Sequence, residues 1–415
     1  MGLMGLMGLM GLMGLMGLVG CSEEKETDRR QHVTMEAHPC VQPFAEEWPE
    51  HAARFMEQQG ITRGWTPPTG YTRYEDFTAE FAEQADLSQK SIGVFFTQDA
   101  GTSLQGTFYY NSYISSWRFE ADMDLESKSY YLYGFIPKEV AESSSIVANG
   151  SYSNGAVLTL RGLRTVTHND VGIIVGAKNG KDDYTSVGDY TVTGLRAGDF
   201  EVAAQATSSS EPTGNRLFLL FDHLYSALRF RFRVDAEYAA LRTIKLTKLE
   251  LMAYESLGST RLKAKYNATV TLAKTDGSTS PIVSVTFTPD NTSSDVAYEP
   301  IYTYSGSEGG VTLPSSTDTD GSGNPKYTDF MGCFIPGQNT NFMLRSTYDV
   351  YDKAGNLVRE GCEAVNNIDL RSLFGITATD LQRGHIYPLA LTVRPTYAYV
   401  LSDEDQELKI DIKGE

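Results

Sequence analysis

The sequence predicts an all-β protein built from β-sandwich domains, and three observations carry that expectation. Short segments alternate apolar and polar residues with a period of two, which is the signature of half-buried strands. Turn-forming pairs such as Asn149-Gly150, Asn179-Gly180 and Asp276-Gly277 separate many of them. The composition, with 24 Tyr, 19 Phe and 38 Gly in 415 residues, suits strands and tight turns better than helices. The length leaves room for two cores.

Taken in order, the chain opens with six copies of Met-Gly-Leu that run into Val19-Gly20-Cys21, followed by Ser22-Glu23-Glu24-Lys25-Glu26. An uncharged apolar run at the N-terminus reads as a secretory segment over residues 1–20. Small residues ahead of Cys21 resemble the bacterial lipoprotein signal, in which the cysteine is acylated, palmitate among its chains, and becomes the new N-terminus. The acidic stretch after Cys21 resembles the surface-export signal of lipoproteins in the Bacteroidetes. The basic residues that normally open such a signal do not occur before Lys25. An uncleaved membrane-spanning anchor is the alternative. Glycine at every third position argues against it, because glycine weakens a helix.

Residues 21–63 read as a polar, acidic leader. Phe44, Trp48, Ala52, Phe55 and Met56 fall at helical spacing, interrupted by Pro49, so one short helix is expected there. Arg63-Gly64-Trp65-Thr66-Pro67-Pro68-Thr69-Gly70-Tyr71 is turn-rich punctuation. Beyond it the strands begin. Ile92-Gly93-Val94-Phe95-Phe96 is a short apolar run, Trp117–Ala121 alternates, and Tyr130–Ile136 is an aromatic strand stopped by Pro137. Leu228–Val234 alternates apolar residues with Arg229, Arg231 and Arg233, giving one core face and one solvated face. A phase slip at Thr247-Lys248 predicts a bulge. Later strands are expected at Thr269–Leu272, Ile282–Phe287, Phe342–Tyr351 and Ile386–Val393, with a helical turn near Leu370–Phe374. Ser208–Asn215 reads as a linker and Asp235–Leu241 is a second candidate boundary; size alone favours the second, dividing the sandwiches at 64–238 and 239–415.

The tail, Leu408-Lys409-Ile410-Asp411-Ile412-Lys413, alternates strictly and puts Leu408, Ile410 and Ile412 on one face. Such a strand either completes its own sheet or, as a donor over 407–413, adds to the edge of another subunit.

The net charge of −18 disfavours nucleic acid and anionic membrane surfaces, since phosphate binding needs a basic surface. No catalytic or phosphate-binding motif occurs, and no cofactor is implied. His32, His38 and Cys40 are too loosely placed to predict a metal site. Asp318, Asp320, Ser322, Asn324 and Asp329 fall at the offsets of a calcium loop. Lys326 at the ninth position and the lack of flanking helices favour a solvated polar loop instead. Of the four cysteines, Cys21 is taken by lipid. Cys333 and Cys362 lie on strand-like segments that a hairpin could bring side by side, where a disulfide is open to them. Two buried thiols are the alternative.

Several segments together resemble the fimbrillin family of Bacteroidales, the fimbrial subunits and fimbrillin-like surface lipoproteins. Ser91–Phe96 is similar to the family's first core strand. Tyr110 to Trp117 followed by Tyr131–Pro137 resembles its aromatic strand ending in proline. Phe221-Asp222-His223 opens a strand as in the family. Arg383-Gly384-His385-Ile386-Tyr387-Pro388-Leu389 and Thr396–Asp403 resemble its C-terminal pattern. The resemblance covers residues ~90 to the end. It implies two transthyretin-like β-sandwiches, no enzymatic activity and a place at the outer membrane or cell surface. It also implies assembly with other fimbrial subunits by strand exchange, after cleavage following an arginine ahead of the first core strand. Arg63 sits about there, and Arg73 is the second choice. Anchoring members keep their lipid. A surface lipoprotein that binds a host or bacterial glycan or protein on its own is the other reading of the same residues.

Overall fold

The computed structural model describes residues 35–46, 70–79, 87–100, 103–119, 129–179, 191–192, 215–255, 262–274, 280–304, 309–395 and 408–414. They form four sheets around two cores, and the all-β expectation holds.

The first core lies between a nine-stranded and a four-stranded sheet. The larger sheet contains β1 (Met35–Val41), β3 (Thr72–Arg73), β4 (Ser91–Thr97), β5 (Leu104–Asn111), β6 (Ser116–Phe119), β7 (Tyr130–Ile136), β11 (Gly172–Asn179), β12 (Thr191–Val192) and β13 (Asn215–His223). Its order is β11-β13-β1-β6-β5-β4-β7-β12, with β3 added to β1. The end of β7 also pairs with β11, so the sheet curls round until it closes. The smaller sheet runs β17 (Ile282–Pro289), β16 (Lys265–Ala273), β9 (Ser151–Arg164), β8 (Ser143–Asn149).

The second core lies between sheets of six and five strands. The six are β2 (Ala45–Glu46), β10 (Val166–Thr167), β14 (Ser226–Val234), β20 (Thr328–Phe334), β23 (His385–Pro395) and β24 (Leu408–Gly414). The five are β15 (Thr243–Tyr254), β18 (Tyr298–Thr303), β19 (Val311–Thr312), β21 (Asn341–Tyr351) and β22 (Leu357–Asp369).

The alternation of the sequence sets which faces are buried. In β14, Leu228, Phe230 and Phe232 enter the core and the three arginines face outward. The predicted phase slip appears where Leu246 and Lys248 of β15 meet consecutive residues of β21, so the bulge is real. The helical turn expected near Leu370 is α3 (Leu370–Phe374), which follows α1 (Tyr74–Ala79) and α2 (Ala236–Leu241) in the chain. Asp369 caps its first turn through the Arg371 N–H, and Gly375 closes it at φ 72°.

A cut at residue 238 does not separate the two sandwiches. β14 precedes it yet belongs to the second core, while β16 and β17 follow it yet pair with β9 in the first. Tyr266, Ala268, Val270 and Leu272 of β16 extend the inward face of β9 over the first core. Alternation says which face of a strand is buried, not which sheet it joins. Among the chain's crossings into the second sandwich, those after β9 and after β13 lie side by side. There Tyr225 is buried and its hydroxyl donates to the Arg164 carbonyl at 2.7 Å.

Candidate functional site

The feature that stands out is β1, a segment of the expected leader that sits inside the closed sheet. It runs parallel to β13 over its whole length, from Met35 beside Asn215 to Val41 beside Phe221. On its other side it is antiparallel to β6 through Met35, Glu36 and Ala37, then to β3 through Cys40 and Val41. Pro39 falls in the gap between those two stretches, which is where a strand tolerates a residue without an N–H. Met35, Ala37, Cys40 and Val41 are buried. Burial of Met35, Val41 and Phe44 contributes about 5–9 kcal/mol as an upper figure. Burial also pushes the Cys40 thiol up, with the Glu75 carboxylate adding to it.

Beyond β1 the leader steps across to the second sandwich. The Gln42 N–H donates to the Phe221 carbonyl at 3.2 Å, and the Ala45 N–H donates to the Gly384 carbonyl at 2.7 Å. β2 then pairs in parallel with the start of β23. A cleft of about 520 Å³ opens beside this crossing, among Gln42, Pro43, Tyr71, Asp222, Arg383 and His385. Gln42 Nε2 donates to the Tyr71 hydroxyl at 3.2 Å. Burial, with the Asp222 carboxylate nearby, raises the Tyr71 phenol to about 12.

The floor of the crossing is His223, which is 1% exposed. Its Nδ1 lies 2.7 Å from Asp170 Oδ2, and its Nε2 donates to the Gln42 carbonyl. The Phe44 ring stacks on it with centroids 3.8 Å apart and planes 11° apart, and Phe77 of α1 lies 5.6 Å away. Burial would lower the imidazole pKa. The Asp170 carboxylate beside it and the bond to Gln42 outweigh that and hold it above 6.5. Asp222 receives the His223 N–H at 2.8 Å and the Arg383 Nη1 at 2.6 Å. Thus the Phe221-Asp222-His223 and Arg383-Gly384-His385 segments meet at one place, over the leader. Sequence reasoning missed Gln42, Phe44 and Asp170 as members of this group. The period-two pattern of Met35, Ala37 and Val41 was the available signal for β1, and Pro39 masked it.

The tail forms β24, antiparallel to β23 of the same chain from Leu408 beside Pro395 to Gly414 beside Leu389. Ile410 is 3% exposed and Ile412 packs against the second core. Arg394 and Asp411 pair across the two strands at 2.5 Å.

The other expected sites are dispersed. Cys21, Arg63 and the helix expected around Trp48, Ala52, Phe55 and Met56 lie outside the described residues. Arg73 is in β3, opposite Cys40, and pairs with Asp76 at 3.1 Å. Cys333 and Cys362 are both buried and are not joined in a disulfide. β20 and β22 belong to different sheets, and Cys333 packs into the first core while Cys362 packs into the second. The calcium-loop carboxylates do not converge. Asp318 accepts from the Ser315 N–H, and Asp320 accepts from the Ser322 and Asn324 N–H groups. Asp329 instead takes Arg229 at 2.7 Å. Ser322 and Asn324 lie in the tight turn that Asp320 closes. Among the described residues no cluster suited to a metal ion occurs. The arginine face of β14 is covered as well, because Arg231 and Arg233 lie over the Tyr327 ring at 4.0 and 5.2 Å. His38 stacks on Phe218 at 5.0 Å.

No protein-family model matches the chain, and no curated protein matches it. Among solved structures it is similar to a Bacteroides fragilis protein provisionally described as a cell adhesion protein. That match has 10% identity and a TM-score of 0.38, over 92% of this chain and 97% of the other. It is similar to a fimbrial protein of Bacteroides vulgatus at 13% identity and a TM-score of 0.31, over 79% of this chain and 93% of that one. It is also similar to the fimbrial anchor protein Mfa2 of Porphyromonas gingivalis at 10% identity and a TM-score of 0.24, over 92% and 98%. Fimbrial and adhesion proteins of Bacteroidales are therefore what the chain is similar to.

Proposed function

We propose that the chain is a non-catalytic subunit or anchor of a cell-surface fimbrium, exported as a lipoprotein through Cys21 and joined to other fimbrial subunits by β-strand complementation. The observation that carries this is the position of β1 between β13 and β6. Cleavage after Arg63 removes β1 and β2 and opens the closed sheet. It leaves the edges of β13, β6 and β3 with unpaired N–H and C=O groups and an apolar trough where Met35 and Val41 lay. Such an edge is a template for an extended segment from a neighbour. Arg63 suits this cut better than Arg73, whose peptide bonds lie in a strand paired with β1.

The self-paired tail favours a second reading. With β1 filling its own slot and β24 completing its own sheet, the described chain is self-complemented. A lipoprotein that keeps its leader acts as an anchor, or as a stand-alone adhesin for a host or bacterial glycan or protein. The deciding experiment is the intact mass and N-terminal sequence of the protein recovered from the cell surface. A chain beginning at Gly64 supports the polymerising subunit. One beginning at acylated Cys21 discards it in favour of the anchor or adhesin.

A further inference from the structure

The proton count at His223 says how the slot holds its strand. The Gln42 carbonyl can only accept, so Nε2 carries a hydrogen. The contact between Nδ1 and Asp170 Oδ2 needs a second proton, and both side chains are buried, at 1% and 2% exposure. The Asp170 side chain beside it favours placing that second proton on the ring, as an imidazolium. Phe44 lies face-on to it, a stack that a positive ring strengthens. Gln42 and Phe44 belong to the leader, whereas His223 and Asp170 belong to the body. The carboxylates of Asp170 and Asp222 favour this state. Asp222 lies beside the ring, and Arg383 bridges Asp222 Oδ2 and the His223 carbonyl. His385 lies across the cleft, and the phenols of Tyr71 and Tyr74 are held neutral by burial.

We propose that His223, paired with Asp170, is a proton-dependent clamp on the strand that occupies the slot. It reads a main-chain carbonyl at position 42 and an aromatic ring two residues further on. The clamp acts on the chain's own leader; what rests on the reading that the occupant can be exchanged is the replacement it would accept, an extended peptide carrying an aromatic side chain at the position of Phe44. When the pair loses its second proton, the charged Asp170 keeps the remaining N–H on Nδ1. The Nε2 lone pair then faces the Gln42 carbonyl oxygen, and the leader loses that hold.

The test is hydrogen exchange on the full chain between pH 5.5 and 9, comparing protection of residues 40–46 with that of β14. The clamp contributes fully below about 6.5 and is lost as the pH rises through the folded-state value. Protection of the leader relative to β14 should therefore fall by up to about tenfold per pH unit in that window. Phe44→Trp should retain protection, and Phe44→Leu should lose about tenfold at pH 6. His223→Gln should make the ratio independent of pH. A flat wild-type ratio, or an unchanged slope in His223→Gln, overturns the clamp. If His223→Gln does not fold, the wild-type ring nitrogen shifts decide, and a neutral ring at pH 6 overturns it. All of this is read on uncleaved monomer. Failure of the clamp thus leaves the polymer reading standing, and an uncleaved Arg63 in cells leaves the clamp standing.

Discussion

Trp117 Nε1 donates to Glu75 Oε1 at 2.6 Å, tying α1 to the strand that flanks the leader. Burial raises the Glu75 carboxyl above its usual range, against the opposing pull of its hydrogen bonds to its own backbone and to Trp117. A raised carboxyl favours the protonated form in the fold. Its contribution is greatest below the unfolded value near 4.5 and declines as the pH rises through the folded value. Glu75→Gln keeps an acceptor for Trp117 and carries no charge to bury. It should be as stable as the wild type near pH 4. At pH 7.5 it should be more stable than the wild type. Urea unfolding at both pH values checks this, and a loss of stability at pH 7.5 would contradict it.

The cysteines give a second prediction. Cys40, Cys333 and Cys362 are buried and unlinked, and burial raises the thiol of Cys333 well above its usual value. Native protein should resist alkylation at all three. Unfolded protein should be alkylated at all three without any reductant, and reductant should leave the melting temperature unchanged. Mass spectrometry of alkylated peptides reads the outcome, and a modified pair that appears only after reduction would contradict it.

How far the sequence foretold these features depends on what each pattern encodes. Leu228–Val234 and Leu408–Lys413 were legible because strict alternation reports a half-buried strand directly. The placement of β16 and β17 in the first sandwich was not, because a strand's pattern carries no address for its partner. β1 was hidden by Pro39, which reads as a breaker unless the neighbouring strands are known to leave a gap there. In the calcium-like spacing, Asp318 and Asp320 cap turn amides, a use that leaves the same sequence signature, while Asp329 pairs with Arg229. His223 was recognised as a strand residue. Its importance lies in Asp170 and Phe44, which are remote from it in the chain.

The tail supplies a third prediction. Ile410 of β24 is almost fully buried, and Asn366 Nδ2 of β22 donates to its carbonyl at 3.0 Å. Ile410→Ala should cost about 2–5 kcal/mol, the range for large-to-small changes in a core. Ile412 is half-buried, so Ile412→Ala should cost less. Equal, negligible losses would mean that β24 does not belong to its own sheet in solution. Chemical unfolding of the two variants decides it.

The leader supplies the last prediction. A chain beginning at Gly64 lacks Met35, Val41 and Phe44 and exposes three strand edges. The lost burial, about 5–9 kcal/mol at most, is comparable with the whole stability of an ordinary domain. Open edges also invite pairing between copies. The truncated chain should therefore melt well below the full chain and elute as oligomers. A synthetic peptide spanning residues 35–46, added in excess, should refill the slot, return the chain to monomer and raise its melting temperature. The same peptide with Phe44→Ala should do so only at higher concentration, because it loses the stack on His223. Size-exclusion chromatography with thermal melts measures both effects. A truncated chain that is monomeric and as stable as the full one would mean that β1 contributes little to its sheet, and the slot could then serve no partner.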